Sequence, residues 1–355
     1  MLYSTPNPHG GDLYSRKIFL DFSANINPYG TPEAVKQAVI DSVNDLRHYP
    51  DPYCRELVAA ISEFEGVGKE KILCGNGAAE LIFSFCRCLN PKKTLILDPC
   101  FSEYETALKS IGCEVIHFRL QKETDFQLKM NFLLFLETFD GDTLMLCNPN
   151  NPTGQTISRE MLEEILRVCE KKGISLFVDE CFLDLTDGGE RLTLKPYLDT
   201  YKNLFLLKAF TKSYGMAGLR LGYCLCGNAG LLQAMGQTTQ PWNVSIPAQK
   251  AGVAALKQTA FLEKAKRTIR EQREVLNQGL RELGLRVVDS HTNYILFYSE
   301  RELREPLLEK GIQIRSCANY SGLEAGWYRI AVKLPEENEI LLAALKELLE
   351  GTPWQ

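Results

Sequence analysis

The sequence contains no C-x2-C pair, and histidine occurs only four times in 355 residues, so the ligand spacings of zinc ribbons and fingers are missing. The closest cysteine pairs, Cys86/Cys88 and Cys224/Cys226, are C-x-C. In a strand, Cys224 and Cys226 point to one face and read as small core residues, so no metal is expected. No apolar run reaches the roughly 18 residues of a membrane span, and a membrane partner is not expected. The opening stretch, MLYSTPNPHGGDLYSRKIFLDF, lacks a basic region followed by an apolar core, so no signal peptide is expected. Twelve cysteines without such a leader point to a reducing, cytoplasmic setting. Positive charge is not in excess: 40 Lys and Arg stand against 45 Asp and Glu, a net charge of −5. With no long run of like charge either, a nucleic-acid partner is not expected. Internal repeats and low-complexity stretches are also missing.

What is there is an ordinary globular composition, 45% hydrophobic and 24% charged, and enough chain for one large and one smaller domain. The apolar runs KILCGNG, KKTLILDP, DTLMLCNP, GISLFVDE and KNLFLLKAF read as buried strands. Residues 158–172 read as a helix between them. Ser158 caps it, glutamates sit near its start, lysines close it, and Gly173 follows as the C′ residue. Alternating strands and helices predict an α/β domain whose largely parallel sheet has helices on both faces. The last third changes character. TNYILFY, GIQIR and WYRIAV read as strands and 301–309 and 336–350 as helices, a small α+β unit. The first 45 residues are rich in Pro, Gly and Asn and are expected to wrap over a site rather than form core. The boundaries drawn are 1–45 for an N-terminal arm or lid that joins the small domain, 46–245 for the large domain and 246–355 for the small C-terminal domain.

Ligands of open α/β sheets bind beyond the carboxyl ends of the strands, and four chemically loaded segments fall at such ends. Gly75-Asn76-Gly77-Ala78 joins a strand to a helix; it is either a plain turn or a seat for phosphate on helix N–H groups. Asn148-Pro149-Asn150-Asn151-Pro152-Thr153-Gly154 is either a rigid turn or a frame that aims side-chain amides. Asp179 ends an apolar strand, where it is a paired or capping acid or a partner for a protonated ring nitrogen. Lys212, between an apolar strand and a glycine-rich turn, is a surface lysine or a desolvated amine able to form a Schiff base, with Arg220 supplying fixed positive charge. Together, a phosphate cradle, an acid, an amide and an imine-forming lysine describe a pyridoxal phosphate site.

NPNNPTG, DECF and TKSYGMAGLRLGY, in that order and spacing, resemble the fold type I pyridoxal phosphate enzymes, the aspartate-aminotransferase type, from about Asp21 to the C-terminus. The resemblance implies a large domain with a mostly parallel seven-stranded sheet covered by helices, plus a small α+β domain, and a homodimer with shared active sites. It implies that Lys212 is the Schiff-base lysine and that Asp179 pairs the ring nitrogen. It places Gly77, Ala78, Thr211 and Arg220 at the cofactor phosphate and Phe101 on the ring. Asn151 is placed at the ring hydroxyl and substrate, and Arg329 at the substrate carboxylate. Tyr49, in RHYPDP, resembles a tyrosine that reaches the phosphate of the neighbouring subunit. Two positions depart from the pattern: Ala209 stands where Ser or Thr is common, and Phe182 where the aminotransferases commonly have Tyr.

Within the family, HGG (9–11), DFSANINPYG (21–30), QPWNVS (240–245) and IRSCANYSGL (314–323) resemble the threonine-phosphate decarboxylases of cobalamin synthesis. The implied substrate is a small phosphorylated amino acid, with Arg329 and Asn151 on its carboxylate and Arg315, Asn25, His9 and the Gly10 N–H on its phosphate. Each of His9, Asn25 and Arg315 also has a plain reading, as a solvated residue, a turn former or a surface ion pair. The competing expectations are histidinol-phosphate aminotransferase and a decarboxylase of serine phosphate. One methyl group separates threonine phosphate from serine phosphate, worth about 1–3 kcal/mol in binding.

Overall fold

In a computed structural model of the chain, which describes residues 9–351, the apolar runs become the strands of a seven-stranded sheet. Residues 1–8 and 352–355 of the two outer segments lie outside the described residues. The spatial order is Ile72–Gly75, Gly222–Cys226, Leu204–Ala209, Ser175–Asp179, Thr143–Cys147, Lys93–Asp98 and Glu114–Arg119. The five strands from Leu204–Ala209 onward are parallel, while Gly222–Cys226 runs antiparallel to both neighbours.

Every residue of Thr143–Cys147, Leu204–Ala209 and Gly222–Cys226 is buried, as expected of strands covered on both faces. Alternation divides them between two apolar clusters. Leu144, Leu146, Leu176, Val178, Leu204 and Leu206 belong to one, and Met145, Cys147, Phe177, Phe205 and Leu207 to the other. On the second face Phe177 stacks on Phe205 at 5.1 Å, with Phe85 against both. The helix Arg159–Lys172 has the caps its sequence calls for: Ser158 Oγ accepts from Met161 N–H at 3.3 Å, and Gly173 takes the left-handed conformation at φ 68°.

The C-terminal unit carries a second sheet, four antiparallel strands in the order Arg315–Ser316, Trp327–Ala331, Tyr294–Tyr298, Arg286–Val288. Here GIQIR is not one strand. Ile312–Gln313 pairs in parallel with Leu20–Asp21, and after Ile314 the chain crosses to the second sheet. That pairing corrects the reading of the N-terminal 45 residues as a wrapping without core. Phe22 and Val35 are fully buried, and Phe22 O accepts from Ala331 N–H at 2.8 Å. The prolines and glycines turn the chain, but the apolar residues between them are drawn into the core. The edge strand Glu114–Arg119 and the long helix Thr259–Glu282 were not read from the sequence; the strand is half exposed and so has no continuous apolar run.

Candidate active site

A cavity of about 470 Å³ opens beyond the C-terminal ends of the parallel strands, where the large sheet meets the second one. Its floor is Asp179, the last residue of its strand, with Cys147 beside it in register. Asp179 is buried. One carboxylate oxygen accepts from Tyr104 Oη at 2.6 Å and the other from Cys181 N–H at 2.9 Å. Burial pushes its carboxyl above the usual carboxylate range, against these two hydrogen bonds.

Lys212 follows the strand Leu204–Ala209, in the short helix Phe210–Ser213. Its amine is brought down to about 8, first by desolvation and then by the charges of Arg329 and Arg220. Its Nζ lies 5.5 Å from the centre of the Phe182 ring. Such an amine has a substantial neutral fraction near pH 8, the form that attacks a carbonyl.

On the side of the helix Ala78–Leu89, the chain is tailored for close approach. Gly77 has φ 83°, and a Cβ on it would fall 2.6 Å from Arg220 Nη2. A Cβ on Gly222 would fall 2.6 Å from Ala78 N. Glu80 takes the Asn76 N–H at 2.7 Å and fixes the loop. With Thr211 and Ala209 also at the cavity, a helix N-terminus, a guanidinium and a hydroxyl converge, the donor set of an anion seat.

The opposite wall comes from the second sheet and the N-terminal segment. Arg329 is 6% exposed, and among the described residues no carboxylate pairs with it. It donates instead to neutral oxygens: Asn151 Oδ1, Tyr320 Oη at 3.3 Å and Ser23 O at 2.9 Å. Arg315 donates to Asn319 Oδ1 at 2.7 Å. Asn25 is buried, and its Oδ1 has no hydrogen-bond partner among the described residues. His9 reaches the cavity with Gly10, its Nε2 2.9 Å from Glu103 Oε1 and its ring 5.9 Å from that of Phe101.

The structure thus brings together Lys212, Asp179, Ala78, Phe101, Asn151, Thr211, Arg220, His9, Gly10, Asn25, Arg315 and Arg329, with Gly77 behind Arg220. Tyr49 is not among them: it is 77% exposed and stacks on Trp242 at 4.5 Å. The sequence reading missed Tyr104, Ser23, Glu103 and Tyr320. Tyr104 follows Phe101 by three residues in FSEY, a helical spacing that signals a shared side. It missed as well the ion cluster on the other face of the sheet. There Lys208 Nζ lies 3.0 Å from Glu65 and 3.5 Å from Asp184, and Ser213 Oγ donates to Asp184 at 3.1 Å. Burial alone would push the Glu65 carboxyl up, but Lys208 and Lys195 outweigh it and hold it at about 2. Burial pushes Glu180 up to about 7.

These residues fit pyridoxal phosphate. The glycine-lined seat would take its phosphate, the buried acid its ring nitrogen, Phe101 its ring and the low-lying lysine amine its aldehyde. A family profile described as aminotransferase class I and II matches residues 17–345. Threonine-phosphate decarboxylase of Salmonella typhimurium is 38% identical, covering 97% of each chain. The adenosylcobalamin biosynthesis bifunctional protein CobDQ of Leptospira interrogans is 32% identical, over 97% of this chain and 41% of its own length. Among solved structures, the histidinol-phosphate aminotransferase from Clostridium acetobutylicum superposes with a TM-score of 0.88 at 30% identity, covering 94% of this chain and 100% of the other.

Proposed function

The chain belongs to the aminotransferase class I and II family, and from that premise we propose that it removes carbon dioxide from O-phospho-L-threonine, giving (R)-1-amino-2-propanol phosphate for adenosylcobalamin biosynthesis. The observation that carries the reading is Arg329, a buried guanidinium with no carboxylate partner among the described residues, next to Arg315. A buried cation needs an anion, and two neighbouring cations suit a substrate with two anionic groups.

When bound, pyridoxal phosphate supplies the electron sink for the bond broken at the substrate's α-carbon. Arg220, Thr211 and the N–H groups of Gly77 and Ala78 would hold its phosphate, Asp179 its ring nitrogen, Phe101 its ring and Asn151 its ring oxygen. Asn151 Oδ1 already accepts from Arg329, which leaves its amide N–H group to donate. Arg329 and Asn151 hold the substrate carboxylate; Arg315, His9, Asn25 and the Gly10 N–H hold its phosphate. Two anchors fix rotation about the α-carbon, so the carboxylate rather than the α-hydrogen is the group set to leave. Lys212 then returns a proton to that carbon, and no keto acid is required. The N-terminal segment, by lying over the cavity, keeps water away from the reacting bond.

The proposed organisation keeps the division at 45/46 and 245/246, and the proposed assembly is a homodimer with shared sites. A row of exposed apolar side chains, Ile40, Val43, Leu46, Tyr49 and Tyr53, supports the dimer, since a partner subunit would cover it. Twelve free thiols support a reducing cytoplasm.

The test is incubation with O-phospho-threonine alone. Sustained release of carbon dioxide is expected. Its absence, with turnover only when histidinol phosphate and 2-oxoglutarate are supplied, would assign the chain to transamination instead.

A further inference from the structure

Ser23 touches both ends of the cavity. It is 1% exposed. Its hydroxyl donates to Asp21 Oδ1 at 2.6 Å and accepts from Gly11 N–H at 2.7 Å and Gln313 Nε2 at 3.1 Å. That uses the single proton and both lone pairs of a serine oxygen. Its carbonyl accepts from Arg329 Nη2 at 2.9 Å. Gly10 packs so tightly on the same residue that a Cβ there would fall 2.4 Å from Ser23 O. One residue therefore grips Arg329 with its main chain and the His9–Gly11 segment with its side chain. Gln313, the third partner, belongs to the strand paired with Leu20–Asp21, which ties the node to the C-terminal unit.

We propose that Ser23 is a specificity-determining residue that fixes the spacing between the carboxylate-binding and phosphate-binding ends of the cavity. The inference rests on the assignment of Arg329 and of His9–Gly10 to those two ends. With both ends held by one buried residue, neither shifts without the other. The site then admits an amino acid phosphorylated on its β-oxygen and disfavours the homologue one methylene longer. Ser23 acts through its neighbours and does not itself contact the substrate.

Two measurements on Ser23→Ala test this. In the cofactor-free protein, the Gly11 amide loses its acceptor, and its hydrogen exchange is expected to accelerate about fivefold or more, the worth of one hydrogen bond. In the holoenzyme, the ratio of kcat/KM for O-phospho-threonine to that for O-phospho-homoserine is expected to fall by a similar factor, about fivefold. Gly10→Ala, which forces the segment off Ser23 from the other side, is expected to lower the same ratio and serves if the serine variant does not fold. Unchanged Gly11 exchange, or an equal loss for both substrates, would overturn the proposal. Failure of the decarboxylase reading shows differently: the unaltered enzyme would release no carbon dioxide from O-phospho-threonine, and the exchange measurement would still decide the role of Ser23.

Discussion

Arg315 and Arg329 stand directly opposite each other on neighbouring antiparallel strands, so their side chains leave the sheet on the same face. Like charges so placed repel, and the proposed substrate, with two anionic groups, would offset that cost. Their unequal burial divides the work: Arg329 is deep and Arg315 half-buried nearer the mouth.

Arg315→Ala is expected to weaken phosphorylated substrates selectively. Losing a charge-assisted contact to a bound anion costs on the order of 2 kcal/mol or more, roughly thirtyfold in kcat/KM. Unphosphorylated threonine, measured in parallel, should change far less. An equal loss for both would remove Arg315 from the phosphate end.

Lys212 makes a prediction that needs no turnover. Its amine sits at about 8 in the folded chain against an ordinary 10.5, so between those pH values the unfolded chain binds more protons. Stability therefore rises with pH across that window. Melting temperatures of the cofactor-free protein should climb relative to Lys212→Met from pH 8 to 10.5. Parallel curves would show the amine to be unperturbed. In the holoprotein, borohydride reduction and peptide mapping should leave the pyridoxyl label on Lys212.

Tyr104→Phe takes one hydrogen bond from the Asp179 carboxylate and leaves a buried oxygen unsatisfied. The expected cost is about 1–3 kcal/mol in urea unfolding of the cofactor-free protein. The carboxyl also becomes harder to ionise, so it pairs less well with a protonated ring nitrogen. Pyridoxal phosphate affinity should fall on the order of tenfold, read by fluorescence titration. Unchanged affinity would leave Tyr104 a purely structural neighbour.

Tyr49→Phe mixed with inactive Lys212→Ala tests the shared site. Tyr49 is exposed and lies outside the cavity of its own chain, so any part it plays there is in a partner's. Heterodimers would contain one site with both defects and one with neither, and activity should return on mixing. A strictly monomeric active enzyme would rule this out.

How much could be read from the sequence depended on the kind of interaction. The four buried parallel strands and the helix after Ser158 were legible because burial and capping are local signals, whereas the half-exposed strand Glu114–Arg119 gave none. Lys212, Asp179 and Arg220 were singled out by the resemblance of DECF and TKSYGMAGLRLGY to the fold type I enzymes, and the fold brings them to one cavity. Ser23 was not, since a lone serine between Phe22 and Ala24 carries no local signal, and its partners Gly11, Gln313 and Arg329 are distant in sequence or ordinary in type. The Glu65–Lys208 pair was hidden likewise. Lys208 ends an apolar run that alternation alone marks as core, and its acid lies 143 positions away. The split of GIQIR between two sheets depends on which strands come near, which a five-residue pattern does not carry.

The close packing at Gly77 and Gly222 bears on how such a pocket can be altered. That end is floored by main chain, where even a methyl group meets Arg220 or the Ala78 nitrogen. A side chain at Gly222 would meet backbone and one at Gly77 would be strained at its positive φ, so both positions are held to glycine. The far end is built of side chains from a short N-terminal stretch and the second sheet, where exchange of one residue reshapes the space. On the proposed assignment of the two ends, libraries confined to residues 9–25 and 315–323, which leave Lys212, Asp179 and Arg329 in place, are where a search for other substrates would begin.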